Sequence, residues 1–413
     1  MGLRFCILFL LVPLTLASAI QVGADALLEG NNFSLLKGKR IGAITNQSAM
    51  NSHLQTTFEM LKERQKEEGY TLSCIFAPEH GYYGSAYAYE TIKDQKLGDI
   101  PLYGLFGERR RPTPEMLASV DLLIYDVQDI GSRSYTFIST LFYCMEEAAK
   151  AKIPLIVLDR PNPMGGLVVD GPLVEDHWRS FLGYVKIPYC HGMTIGELAR
   201  FFNEEYKIGC ALTVIPMKGW KRGMCFSETG LPWVPTSPQI PEPDTPFFYP
   251  TTGLIGHCSM LNIGIGYTLP FKLVGAPWIA ADKLADMLNG QKLPGVFFQP
   301  YYYRPFFGKF KLENCQGVRI VITDHNRFLP VTTQFTIMGV IKNLYPKQFQ
   351  EAITQMQINA NSKDVFNKLN GGETVLKIIT QEKFIIWKLR DLCTDARVSF
   401  LPVRSKYLYA SYN

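Results

Sequence analysis

The sequence predicts an α/β protein: a parallel sheet covered by helices on both faces, followed by a smaller α+β unit. Three observations predict it. From residue 39 to about 220, short apolar runs alternate with amphipathic segments; at 228–251 seven prolines interrupt the alternation; beyond that, one strand-like run is followed by several helical periods. Buried parallel strands read as near-continuous apolar runs, and alternation with helices is how parallel strands are joined.

Taken in order, the strand candidates are RIGAIT (40–45), LSCIF (72–76), DLLIYDV (121–127), PLIVLD (154–159) and ALTVIP (211–216). Helical periodicity occupies 53–67, 135–152 and 194–206, the last opened by a capping-box pair, Thr194 and Glu197. The stretch ETGLPWVPTSPQIPEPDTPFFYPT (228–251) reads as a rigid connection without periodicity, because proline removes a donor and restricts its neighbour. After it, GVRIVITD (317–324) reads as a strand, while 331–343, 347–357 and 372–380 have helical character. The expected organisation is a leader at 1–19, an N-terminal domain at 20–235 and a C-terminal domain at 236–413. No internal repeat is visible.

The leader carries Arg4, an apolar run from Phe5 to Leu16, and Ala17-Ser18-Ala19. That order is a Sec signal peptide with cleavage after Ala19, so the mature protein is expected to be secreted or periplasmic, without stable membrane insertion. Beyond Cys6, the cysteines at 74, 144, 190, 210, 225, 258, 315 and 393 form no C-x-x-C pair. Bridges and free thiols both stay open. A charge of +5, from 42 basic and 37 acidic residues without blocks, gives no reason to expect nucleic acid.

Loops leaving the carboxyl ends of parallel strands share one rim, where ligands bind. Here the first strand exits into Thr45-Asn46-Gln47 and the second into Glu79-His80. The third exits into Asp126 and Asp129 with Arg133 behind, and the fourth into Asp159-Arg160 before Pro161-Asn162-Pro163. Tyr82, Tyr83, Tyr87 and Tyr89 follow Glu79, and aromatic rings with a hydroxyl tip suit a sugar. Phosphate-cradling glycine loops, a nucleophile elbow and zincin histidine spacing are all missing, and the six histidines do not pair at metal-ligand spacing. No cofactor and no metal are expected. Carboxylate acid/base chemistry is what remains, and glycosidic hydrolysis is its commonest use.

In order along the chain, LKGKRIGAITNQS (36–48), FAPEHG (76–81), IPLYGLFG (100–107), DVQDIGSRSYTFISTL (126–141), LDRPNPMGG (158–166), HGMTIGELA (191–199), PTSPQIP (235–241) and PFKLVGAPWI (270–279) resemble the secreted exo-β-N-acetylmuramidases, the NamZ or YbbC-like family. The resemblance implies a Rossmann-like N-terminal domain, a smaller C-terminal domain and an active site in the cleft between them. It also implies a peptidoglycan-derived saccharide or muropeptide as substrate and Glu79 as catalytic acid. Asn46, His80, Asp126, Gln128, Asp129, Arg133, Tyr135, Asp159, Arg160, Asn162 and His191 are then expected to line or support the pocket. Where the family carries Arg after PEHG this chain has Tyr83, and before HGMT it has Cys190. His257, Ile263 and Ile265 stand where Glu, Glu and Arg are usual. Tyr83 and His257 count as substrate-facing by that correspondence.

Glu79, His80, Asp126 and Asp129 are the catalytic candidates, Glu79 as the acid with a raised pKa. For the second role three options stand: Asp126 or Asp129 activating water, either as nucleophile, or the substrate's own acetamido group. A different class of function, a saccharide-binding or scaffold protein that has lost turnover, rests on the isoleucines at 263 and 265 and on Tyr83 and Cys190 at positions where arginine is usual.

Overall fold

The computed structural model describes residues 20–29 and 32–413, so the leader falls outside the described residues. Seven strands form the main sheet: β1 (Arg40–Thr45), β2 (Thr71–Ala77), β3 (Gln95–Leu97), β4 (Ile100–Gly104), β5 (Leu122–Asp126), β6 (Leu155–Leu158) and β7 (Leu212–Ile215). Their spatial order is β3-β4-β2-β1-β5-β6-β7. All neighbours are parallel except β3 and β4. All five strands expected from apolar runs are present. The two on one edge were not expected: β3 is only three residues long, and Pro101 interrupts the apolar run of β4.

The covering helices Thr57–Glu68, Phe137–Ala151 and Ile195–Glu205 fall where periodicity places them. Two start on capping boxes. Thr56 pairs with Glu59 and Thr194 with Glu197, each satisfying amide donors that the first turn leaves free.

The second lobe holds β8 (Leu273–Ala276), β9 (Val296–Tyr303) and β10 (Cys315–Ile322), antiparallel in the order β8-β10-β9. Around them lie helices Thr245–His257, Ala281–Asn289, Pro330–Leu344, Pro346–Ile358, Ala360–Asn370, Thr374–Gln381 and Ile385–Ser405. The proline-rich connection ends sooner than its composition implies. Pro246 sits in the first turn of Thr245–His257, where its missing N–H costs nothing, and Pro250 is carried within the same helix.

The chain's end returns to the first lobe. Arg404 Nη1 donates to the carbonyls of Gly166 (3.0 Å) and Gly192 (3.1 Å), and Tyr412 packs with Ile20, Met217 and Trp220. One apolar core runs through both lobes, joining Phe76 and Phe137 to Phe271 and Phe335. All eight cysteines among the described residues are buried and unpaired. No helix among these residues is long and apolar enough to cross a membrane.

Candidate active site

The loop leaving β2 is folded by its own backbone. His80 and Gly81 both take positive φ (70° and 75°), Gly81 N donates to Pro78 O (3.0 Å), and His80 Nδ1 pairs with Ala86 O (2.8 Å). A turn this tight holds Glu79 inward and brings Tyr87 and Tyr89 back over it. The Glu79 carboxylate is buried. Its Oε2 accepts from Thr136 Oγ1 (2.5 Å) and its Oε1 from Tyr89 N (3.3 Å).

Glu79 opens into a cavity of about 280 Å³ between the lobes. The first lobe contributes Glu79, His80, Tyr87, Tyr89, Tyr135 and Tyr189; the second side contributes Ser237, Gln239, Tyr249, His257 and Phe271. Glu79 is the one carboxylate in the lining, and no Lys or Arg lines it among the described residues. A hydroxyl network runs along the wall. Ser134 Oγ donates to Tyr189 Oη (2.6 Å) and lies 3.4 Å from Tyr249 Oη, while Tyr135 Oη donates to Thr236 Oγ1 (2.9 Å). Burial pushes the Tyr189 phenol up to about 12 and raises those of Tyr135 and Tyr249 as well, so all three stay protonated at neutral pH and can donate to a ligand.

The remaining expected residues divide by what they touch. His80 lines the cavity and stacks on Tyr135 at 6.2 Å. His257 lines it from the second lobe, with Nε2 on Ser362 O (2.9 Å). Asp129 is buried just off the lining: Oδ2 accepts from Gly131 N (2.7 Å) and lies 3.8 Å from His191 Nε2, and Oδ1 has no partner among the described residues. Because Met193 N donates to His191 Nδ1 (3.2 Å), the His191 proton sits on Nε2, toward Asp129.

The structure places the other expected residues outside the cavity lining. Asp126 is fully buried and ion-paired to Arg160, with Nη2–Oδ2 at 2.8 Å and a further hydrogen bond from Thr57. Arg160 also donates to Met50 O (2.8 Å), so both groups tie β5, β6 and the β1 loop together. Arg133 is fully buried and donates to the carbonyls of Pro172 (2.6 Å), Ile187 (2.8 Å) and Leu369 (2.8 Å); burial pulls its pKa down to about 10. Gln128 clasps Asp129 O and Pro161 O, and Asn162 bridges Met193 O and Met164 N. Asn46 Oδ1 accepts from Ser48 N (3.0 Å) and Ser48 Oγ (2.6 Å). Tyr83 points out and is 62% exposed. Apart from exposed Tyr83, these side chains satisfy polar groups of loops that carry no ladder bonds. Ile263 packs against Gly256 and Ile265 lies against the core, both away from the cavity lining.

Asp159 is another such tie. It accepts from Arg160 N (3.0 Å), Thr194 Oγ1 (2.9 Å), Gly196 N (2.8 Å) and Tyr412 Oη (2.6 Å), which fastens the chain's end to β6 and to the start of Ile195–Glu205. Burial raises its carboxyl to about 7, against the pull of these donors. The unfolded chain ionises this group near pH 4 while the folded one keeps its proton, so stability falls as pH rises from about 4 to 7, by at most about 1.4 kcal/mol per pH unit. Asp159→Asn is expected to flatten that part of the Tm profile; an unchanged slope would mean Asp159 is ionised in the fold.

Thr136, Ser134, Tyr189, Ser237 and Tyr249 escaped the sequence reading. Thr136 and Ser134 lie inside the quoted 126–141 motif, but a hydroxyl carries no signal until its partner is known.

A buried carboxylate among aromatic walls, set between two lobes of an α/β fold, is compatible with a carbohydrate-active class of protein. The comparisons agree. The N-terminal profile of the exo-β-N-acetylmuramidase NamZ family matches residues 41–244 and its C-terminal profile residues 247–409. This chain belongs to that family and is a glycoside hydrolase. It is 42% identical over 364 residues to the peptidoglycan β-N-acetylmuramidase NamZ of Bacillus subtilis (strain 168), spanning 87% of this chain and 86% of that one. Two crystal structures of DUF1343 family proteins from Bacteroides fragilis share the fold. One has TM-score 0.87 at 40% identity, covering 94% of this chain and 98% of its own; the other has 0.68 at 25%, covering 96% and 100%.

Proposed function

We propose that this enzyme removes a terminal β-linked N-acetylmuramic acid from peptidoglycan fragments, with Glu79 as general acid. The carrying observation is that Glu79 is the single carboxylate lining the interlobe cavity among the described residues. The volume supports an exo mode: about 280 Å³ lies just below the range of roughly 300–1,000 Å³ for ligand pockets and suits one sugar residue. With no Lys or Arg in the lining among the described residues, the donors available to a lactyl carboxylate are neutral hydroxyls and the Gln239 amide, together with the imidazoles of His80 and His257.

A two-carboxylate mechanism needs a second carboxylate facing the same sugar. Asp126 is occupied by Arg160 and Thr57, and Asp129 lies behind the lining. The second role therefore passes to the substrate's own acetamido oxygen, which attacks the anomeric carbon as Glu79 protonates the leaving oxygen. Water then opens the bicyclic intermediate with Glu79 as base.

The test is a panel of chromogenic β-glycosides: the N-acetylmuramide, the N-acetylglucosaminide and the muramide lacking its acetyl group. Release from the acetylated muramide, and from it alone, is expected. Release from the glucosaminide instead would overturn the sugar assignment, and full turnover of the deacetylated compound would overturn the acetamido role.

The same proposal takes the enzyme to act outside the cytoplasm, on the strength of the 1–19 leader. N-terminal sequencing of the protein recovered from cells is expected to begin at Ile20; an intact Met1 would refute it.

A further inference from the structure

Away from the cavity, Cys225, Glu228 and His325 bring a thiol, a carboxylate and an imidazole together. Their ligand atoms all lie within 4.8 Å of one another, and this is the one such group of three among the described residues. None of the three lines the interlobe cavity.

The arrangement is built from two separate supports. Phe226–Glu228 is a single 3₁₀ turn, in which residues three apart eclipse, so Cys225 and Glu228 face the same way. The turn closes on itself, with Cys225 N donating to Glu228 Oε2 (2.9 Å) and Glu228 N to Cys225 O (3.1 Å). Phe226 N donates to Pro163 O (3.0 Å), which fixes the turn to the first lobe. His325 comes from the second lobe, in the loop between β10 and the helix Pro330–Leu344, with its ring against Phe247 at 6.3 Å.

The imidazole of this group is incompletely satisfied. His325 Nε2 is shut off from solvent and makes no well-angled hydrogen bond, although Glu228 Oε2 is only 3.2 Å away. At the third corner, Cys225 Sγ has a weak partner of its own, Ser227 Oγ at 3.1 Å, which a metal-bound thiolate could keep as a donor. Tetrahedral zinc, at about 2.3 Å from sulfur and about 2.0–2.2 Å from nitrogen and oxygen, sets its donors roughly 3.4–3.6 Å apart, a spacing small side-chain adjustments reach here.

We propose that Cys225, Glu228 and His325 form a zinc site that fastens the first lobe to the second. Thiolate and imidazole select zinc over calcium or magnesium, which require all-oxygen sites. On binding, the Cys225 thiol releases its proton to solvent and the thiolate coordinates the metal. Glu228 is exposed and His325 half-buried, so the ion reaches the site from solvent and keeps a water as fourth ligand. A scan for ligand spacing in the sequence misses the site because about a hundred residues separate His325 from the other two.

The experiment uses untagged mature protein, stripped with a chelator and then titrated with Zn²⁺. Expected are about one zinc per chain after desalting, a Tm that rises with the logarithm of free zinc but not with Mg²⁺, and a thiolate-to-metal absorption band when Co²⁺ replaces Zn²⁺. Cys225→Ser and His325→Ala should abolish all three while glycosidase activity at low temperature persists. If either fails to fold, Glu228→Gln at the exposed corner should weaken zinc binding at least tenfold. Absence of stoichiometric zinc, or zinc retained equally in the variants, overturns the proposal.

Discussion

Glu79→Gln is expected to lower kcat on a muropeptide-derived disaccharide by about 10²–10⁴-fold, the usual contribution of a positioned general acid. The amide is isosteric and keeps both local contacts: its oxygen can accept from Tyr89 N while its NH₂ donates to Thr136 Oγ1. Tm should therefore hold. The loss should also depend on the leaving group. A nitrophenolate departs without a proton, so the chromogenic substrate should suffer less than one whose leaving group is a sugar. A rate close to wild type on the disaccharide would remove Glu79 from the acid role. An equal loss on both substrates would assign it to binding or to the later, base-assisted step.

Arg160→Met is expected to act on stability instead. Asp126 is fully buried and Arg160 nearly so, and removing one partner leaves an uncompensated charge in the interior, at a cost of about 3–5 kcal/mol. Thr57 still donates to Asp126, but one hydroxyl cannot replace a guanidinium held through two nitrogens. The double variant Asp126→Asn with Arg160→Met should recover much of the Tm, because it removes the stranded carboxylate. KM per folded molecule should stay constant throughout. An unchanged Tm with a raised KM would put Arg160 back at the substrate.

These two variants separate the two kinds of residue that the strand-end rim contains. Glu79 and Arg160 both follow parallel strands, and both are polar groups at the edge where ligands bind. What distinguishes them is the partner each meets. Arg160 meets Asp126, 34 residues earlier in sequence, while Glu79 meets only a threonine hydroxyl and a backbone amide and keeps a face toward the cavity.

The sequence by itself determined the five core strands, three of their covering helices, the family and the loop that carries Glu79. Each rests on local information: an apolar run long enough to be buried, a helical period, a capping box, or an ordered set of motifs. It passed over β9 because VFFQPYYY has no alternation and holds a proline. It also passed over the helix Ile385–Ser405, where charges and Pro402 blur the period. Tertiary structure alone decided which rim groups face the cavity, that Tyr189 and Tyr249 complete its wall, and that Tyr412 reaches back 253 residues to Asp159. The physical reason is the same in each case. A buried polar group is defined by the partner that satisfies it, and when that partner comes from a distant part of the chain, no window of sequence contains both.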